Sequence, residues 1–203
     1  MDKIILDQSI QHLLKDDKLK DLINKHPIPK FAYNDNYFEA LSKSIIYQQL
    51  SGKVAKIIYT RFIGLFISQT PEPVQYLKIS TYDLRKIGLS KQKINYIKNL
   101  SLFFADNHVD KLKKMSDQEI SKELISIKGV GQWTIDMFMM FTLCRPDVLP
   151  VGDLGIKKAF KYLYDLQELP SEKIMKEKSS GWRPYRTIAC CYLWRVVDDG
   201  DIF

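Results

Sequence analysis

The stretch Trp133–Leu143, WTIDMFMMFTL, is apolar on every side except at Asp136. It is too short to cross a bilayer, which takes about 20 apolar residues. A helix with no polar face must be covered by its neighbours, so this segment belongs at the centre of a packed domain. The rest of the chain supplies the cover. Phe38, Leu41 and Ile45 recur at helical spacing after Asp35, a candidate cap, and Ser51 precedes a second stripe of Val54, Ile57, Ile58 and Phe62. Pro71 and Pro73 mark a boundary, and a short helix over Thr81–Ile87 stops at Gly88. Ser90 caps a helix that buries Ile94, Ile97 and Leu100; Ser116 caps one that buries Ile120, Leu124 and Ile125. Strand signals are scarce. The pattern predicts an all-α protein of about ten short helices, in two lobes that share the central one.

At 203 residues the chain fits one domain or two small lobes, large enough to fold without disulfides or a structural metal. Its three cysteines, with Cys190 and Cys191 adjacent and Cys144 remote, do not form a disulfide framework. They also cannot supply the four thiolates of an iron–sulfur cluster. His12, His26 and His108 include no helical pair, which argues against a His-based metal site. Met1–Lys20 is charged throughout, so no signal peptide or membrane segment is visible, and an intracellular protein is expected. A net charge of +7 with 31 Lys and Arg suits a polyanionic partner, although it also suits mere solubility. The basic residues cluster at Lys86–Lys98, Lys111–Lys114, Lys157–Lys161 and Lys173–Lys178, mostly as solvated faces. Lys157 and Lys158 are the best placed of them to meet phosphates.

Chemistry concentrates around Ile125-Ser-Ile127-Lys128-Gly129-Val130-Gly131-Gln-Trp133-Thr134. An amphipathic helix ends, a Gly-Val-Gly turn follows, and the buried helix begins at once. Gly129 and Gly131 allow a tight turn and a close approach by another backbone, with Val130 plugging the gap between the helices. The free N–H groups at the start of the second helix suit a phosphate oxygen; the alternative is a tight turn with no ligand. Further along, Asp153 follows Gly152 and opens a predicted helix. Taken alone it is an N-cap for Gly155 or Ile156. Gln48 and Gln49 end an apolar helix before Leu50 and Ser51, where both amides could cap the turn.

These segments together resemble the helix–hairpin–helix superfamily of DNA glycosylases that also includes endonuclease III. The run Arg145-Pro-Asp-Val-Leu-Pro-Val-Gly-Asp153-Leu-Gly-Ile-Lys-Lys is similar to that superfamily's Gly/Pro-rich loop and catalytic aspartate. Ser44-Ile-Ile-Tyr-Gln48-Gln49-Leu-Ser51 and Trp182-Arg-Pro-Tyr-Arg186-Thr match its 3-methyladenine DNA glycosylase II branch. The resemblance implies an all-α, two-lobed fold with a DNA-binding cleft between the lobes, one domain over residues 1–203. The N-terminal β-domain of some relatives is not expected before the Gln-Gln turn.

It further implies Asp153 as the catalytic carboxylate, stabilising an oxocarbenium-like sugar and orienting or deprotonating water. Trp133 stands where bifunctional members carry a Schiff-base lysine. An indole is no nucleophile, so a monofunctional enzyme is expected. Its face offers a cationic purine about 0.5–2 kcal/mol, unless the ring is plain core. Trp182, Tyr47 and Met137, the last at a position where some relatives have tyrosine, join Trp133 as expected pocket residues. Gln49 is the expected duplex wedge, with Leu50 and Gln48 as neighbouring choices. Lys128, Gly129, Val130, Gly131, Thr134, Lys157 and Lys158 are expected on the DNA backbone. The carbonyls of Ile125, Ile127 and Gly129 match those that hold a monovalent cation, Na+ or K+, in the family; no other cofactor is implied. The expected partner is double-stranded DNA containing 3-methyladenine- or 7-methylguanine-type bases, bound by a monomer. A glycosylase/AP lyase, a non-catalytic DNA-binding module and a small-molecule binder are the alternatives.

Overall fold

The structure, a computed structural model, describes residues 1, 3–105, 112 and 114–197; His108 and Lys111 and Lys113 of the second basic cluster lie outside them. Among the described residues the chain is helical with no strand. Its α-helices are α1 (Lys3–Leu13), α2 (Asp17–Lys25), α3 (Tyr37–Tyr47), α4 (Gly52–Ile63), α5 (Pro73–Tyr76) and α6 (Thr81–Lys86), then α7 (Lys91–Ala105), α8 (Asp117–Ile125), α9 (Gln132–Phe141), α10 (Leu154–Leu163), α11 (Glu172–Lys178) and α12 (Arg186–Val197). A 3-10 turn spans Ser180–Trp182. No described helix is long and apolar enough to cross a membrane.

The helix starts follow side-chain chemistry. Ser116 and Glu119 form a reciprocal capping box at α8, and Ser90 Oγ accepts the Lys93 N–H at α7. One expected cap differs. At α3 the cap is Asn36, not Asp35: its amide oxygen accepts from Glu39 N (3.0 Å) while its NH2 donates to the Pro71 carbonyl (2.9 Å). A carboxylate could not do both. Ser51 precedes α4 but makes no side-chain cap bond. Gly88, at φ +103°, ends the α6 turn in a conformation that glycine alone adopts freely.

The described residues divide into two compact units, one of Met1–Tyr33 with residues 139–197, the other within Asn34–Phe138. In the second, Phe38, Leu41, Ile45, Phe62, Tyr76, Ile97 and Leu100 are buried, and Tyr37 meets Phe138 edge-to-face at 5.2 Å. In the first, Leu19, Phe160, Ile188 and Leu193 form the core with Trp182. Each such side chain contributes about 1.5–3 kcal/mol by leaving water. From Thr134 to Met140 every residue of α9 is buried, as the absence of a polar face requires. Asp136, its one carboxylate, accepts the Gln132 amide at 2.8 Å.

Candidate functional site

In the Asn34–Phe138 unit, the turn between α8 and α9 is fixed by backbone geometry. Val130 N–H donates to the Ile127 carbonyl at 2.9 Å, and the Val130 side chain is buried between the helices. Gly129 has φ +110°, and a Cβ there would stand 2.2 Å from the Tyr96 ring of α7. It is therefore glycine for two independent reasons. Gly131 has open space where a Cβ would be, so no packing constraint within the chain demands it. Asn99 of α7 donates to the Lys128 carbonyl at 3.0 Å, leaving the Lys128 side chain exposed. Of the three carbonyls expected to face a cation, that of Ile127 accepts Val130 N–H, and that of Gly129 lies 3.5 Å from the Gln48 amide. A carbonyl has a second lone pair, so the donor type still fits a monovalent ion.

The α3–α4 turn is joined to this hairpin. Gln48 donates to Thr134 Oγ1 at 3.0 Å, which corrects two expectations. Gln48 is an anchor, with its amide too occupied to be a wedge, and Thr134 is buried with its hydroxyl facing Gln48 instead of DNA. Beside them, Gln49 is exposed at φ +58°, and Leu50 is exposed next to it. Lys93 completes the turn: its ammonium donates to the carbonyls of Ile46 (2.7 Å) and Gln48 (2.8 Å), closing the C-terminal end of α3. Desolvation lowers its pKa. Sequence reading placed Lys93 in a solvated basic cluster; nothing in its spacing marks a lysine that turns inward. Gln48, Gln49, Leu50, Gln92, Lys93 and the Gly129–Gly131 turn line a groove of about 580 Å³.

Trp133 sits half-buried in the first turn of α9. Tyr47 is also half-buried, its ring 6.4 Å from that of Tyr59 and 5.7 Å from the Lys43 ammonium. Tyr59 donates to the Glu39 carboxylate. Met137 is 2% exposed, a core side chain of the all-round apolar helix, and presents no face to a base.

In the other unit, Asp153 caps α10. Its Oδ1 accepts Ile156 N–H at 2.8 Å and Trp194 Nε1–H at 3.0 Å. The N-cap reading of Asp153 is thus correct, and the carboxylate remains half-exposed. The loop leading to it is strapped to the start of α12. Arg186 grips Asp147 through Nε (2.6 Å) and Nη2 (2.9 Å), and Arg183 reaches the same carboxylate at 3.0 Å. Thr187 donates to the Arg145 carbonyl (2.6 Å) and accepts Val148 N–H (3.0 Å). Lys157, half-buried, and Lys158, exposed, follow on α10. Trp182, expected in a base pocket, is fully buried: its ring lies 5.2 Å from Phe160, and its N–H donates to Asp16 Oδ2 at 2.7 Å. That correction has a physical reason, since a buried indole needs an acceptor and the α2 cap provides one.

A helix–turn–helix closed by Gly-Val-Gly, followed by a strapped loop and a helix-capping aspartate, spans residues 117–153. Residues 42–184 match the model of the HhH-GPD superfamily of base excision DNA repair proteins. The chain belongs to that superfamily. This HhH-GPD protein is 30% identical over 200 residues to the putative DNA-3-methyladenine glycosylase YfjP of Bacillus subtilis, covering 93% of this chain and 70% of that one. It is 31% identical over 163 residues to DNA-3-methyladenine glycosylase 1 of Schizosaccharomyces pombe, covering 78% and 72%. Among solved structures, the Schizosaccharomyces pombe 3-methyladenine DNA glycosylase Mag1, in complex with abasic DNA, superposes with a TM-score of 0.85 at 28% identity, covering 93% of this HhH-GPD chain and 95% of Mag1. A DNA-3-methyladenine glycosidase from Bacillus halodurans gives 0.77 at 35% identity, with 92% and 87% covered.

Proposed function

We propose that this protein is a monofunctional DNA glycosylase of base excision repair that hydrolyses the N-glycosidic bond of alkylated purines flipped out of duplex DNA. The observation that carries this reading is the Asp153 carboxylate, fixed by two donors at the start of α10 in a chain whose relatives are named for 3-methyladenine removal.

As the C1′–N bond lengthens, positive charge grows on the sugar, and an ionised carboxylate opposite it lowers that charge's energy. The bonding electrons leave with the base, so a cationic 3-methyladenine or 7-methylguanine departs neutral and needs no dedicated acid. Water adds its oxygen to C1′ and gives up a proton, with Asp153 as acceptor. Trp133, where a lysine would be needed for imine formation, offers only a ring face to the purine cation. Gln49 and Leu50, at the exposed tip of the α3–α4 turn, are the side chains to fill the emptied stack. The hairpin N–H groups, Lys128, Lys157 and Lys158 take the phosphates. A Na+ or K+ at the hairpin would be held by the Ile125, Ile127 and Gly129 carbonyls and would add positive field for a phosphate. On this reading the protein works inside the cell, and we take it to act as a monomer.

The test is release of methylated base from a duplex carrying one defined lesion. Asp153→Asn should bind that duplex as the parent does yet release base at least about a hundredfold more slowly; parent-level turnover would refute the assignment. Borohydride should trap no covalent DNA adduct, and a trapped adduct would show a lyase.

A further inference from the structure

We propose that Trp194 is a positioning residue for Asp153, its indole N–H fixing the direction in which the carboxylate faces. The inference rests on the reading of Asp153 as catalytic.

An N-cap aspartate needs only a backbone N–H, and one such bond leaves the carboxylate a broad torsional range about Cβ–Cγ. Here a second donor reaches the same oxygen. Ile156 N–H and Trp194 Nε1–H converge on Oδ1 at 2.8 and 3.0 Å. With Oδ1 held from two directions, the planarity of the group sets where Oδ2 lies. The second donor is itself immobile: Trp194 is 8% exposed, and its ring packs on Phe141 at 5.8 Å.

The chain makes room for this contact at Gly155. A Cβ there would stand 3.1 Å from Trp194 Cδ1, 3.2 Å from its Nε1 and 3.1 Å from Asp153 Oδ1. Gly155 is not in the left-handed region, so backbone conformation does not call for glycine. What its missing side chain provides is a seat for the indole. The Arg186 and Thr187 straps hold the loop ahead of Asp153 to the start of the helix that carries Trp194 at its other end. One helix therefore fixes both the main chain leading to the carboxylate and the carboxylate itself.

The competing account is that the indole merely needed an acceptor. The test is Trp194→Phe in the full chain, which keeps a ring and removes the donor. Single-turnover release of 7-methylguanine should slow about tenfold, the value of one hydrogen bond to a charged group. Affinity for an abasic duplex should stay within about twofold, since binding does not depend on the carboxylate's direction. A parent-level rate overturns the proposal, and so does a proportional loss of rate, affinity and melting temperature. Should the Phe variant melt early, Gly155→Ala carries the test. Its methyl crowds the ring and Oδ1 alike and shifts the hydrogen bond by a few tenths of an ångström without deleting the ring, so a slower rate is expected and an unchanged rate overturns the proposal. Asp153→Asn is measured alongside. Full activity there sinks the catalytic reading, whereas an inactive Asn variant beside a fully active Phe variant sinks only the positioning role.

Discussion

The hairpin and the Asp153 corner are both short connections that open onto a helix, yet they are held by different forces. At the hairpin the constraint is steric and local: Gly129 takes a conformation and a position that no side chain tolerates, and Val130 closes the turn on Ile127. At the Asp153 corner the constraint is electrostatic and remote. The loop hangs on Arg186, Thr187 and Trp194, residues distant in sequence, through bonds to one buried guanidinium, a hydroxyl and an indole. Backbone shape suffices to present N–H groups, whereas aiming a carboxylate takes side chains arriving from elsewhere in the fold.

Breaking each region should therefore look different. Gly129→Ala sets a methyl against the Tyr96 ring at positive φ and should cost about 3–4 kcal/mol. For a chain of this size that is a fall in melting temperature of about 10 °C, measured by calorimetry. Arg186→Met leaves the Asp147 carboxylate without its main partner and should cost about 3 kcal/mol. The same variant should slow base release while DNA affinity holds, because the strap serves the Asp153 loop and not the hairpin; equal losses in both would erase the distinction drawn here. Lys93→Met strips two carbonyls of their donor at the α3–α4 turn. About 1–2 kcal/mol of stability should go with it, and here affinity, read by fluorescence anisotropy, should fall more than the chemical rate. Gln49→Gly has the smallest effect on folding. It relieves a left-handed residue and should leave stability unchanged or raised by up to about 1 kcal/mol, while base release drops because the tip has lost its side chain.

The same contrast explains what could be read from the chain before its structure. Helix periodicity, the capping box at Ser116 and the wholly apolar α9 are local signals, and so is Gly-Val-Gly, which is why the all-helical architecture and the hairpin were legible. Asp153 was legible as a cap, while its catalytic role is the proposal made above, carried by the resemblance. Its donors were not: Trp194 lies on a helix whose apolar stripe would absorb any aromatic, and Gly155 carries no signal of what its missing side chain admits. Asp147 is one carboxylate among 24 acidic residues. Trp182 failed in the other direction. A shared motif suggested a pocket wall, but the indole's hydrogen bond to Asp16 makes it core. Met137 shows the same limit, since a position on a helix does not reveal which side a neighbour covers.

The bond from Gln48 to Thr134 ties the α3–α4 turn to the start of α9. On the reading proposed above, gripping and probing are then a single mechanical event. Each time the hairpin takes hold of a backbone, Gln49 is already at the base stack, with no separate closing motion to wait for. An enzyme built this way samples every step it lands on, and discrimination falls to how readily a damaged nucleotide yields.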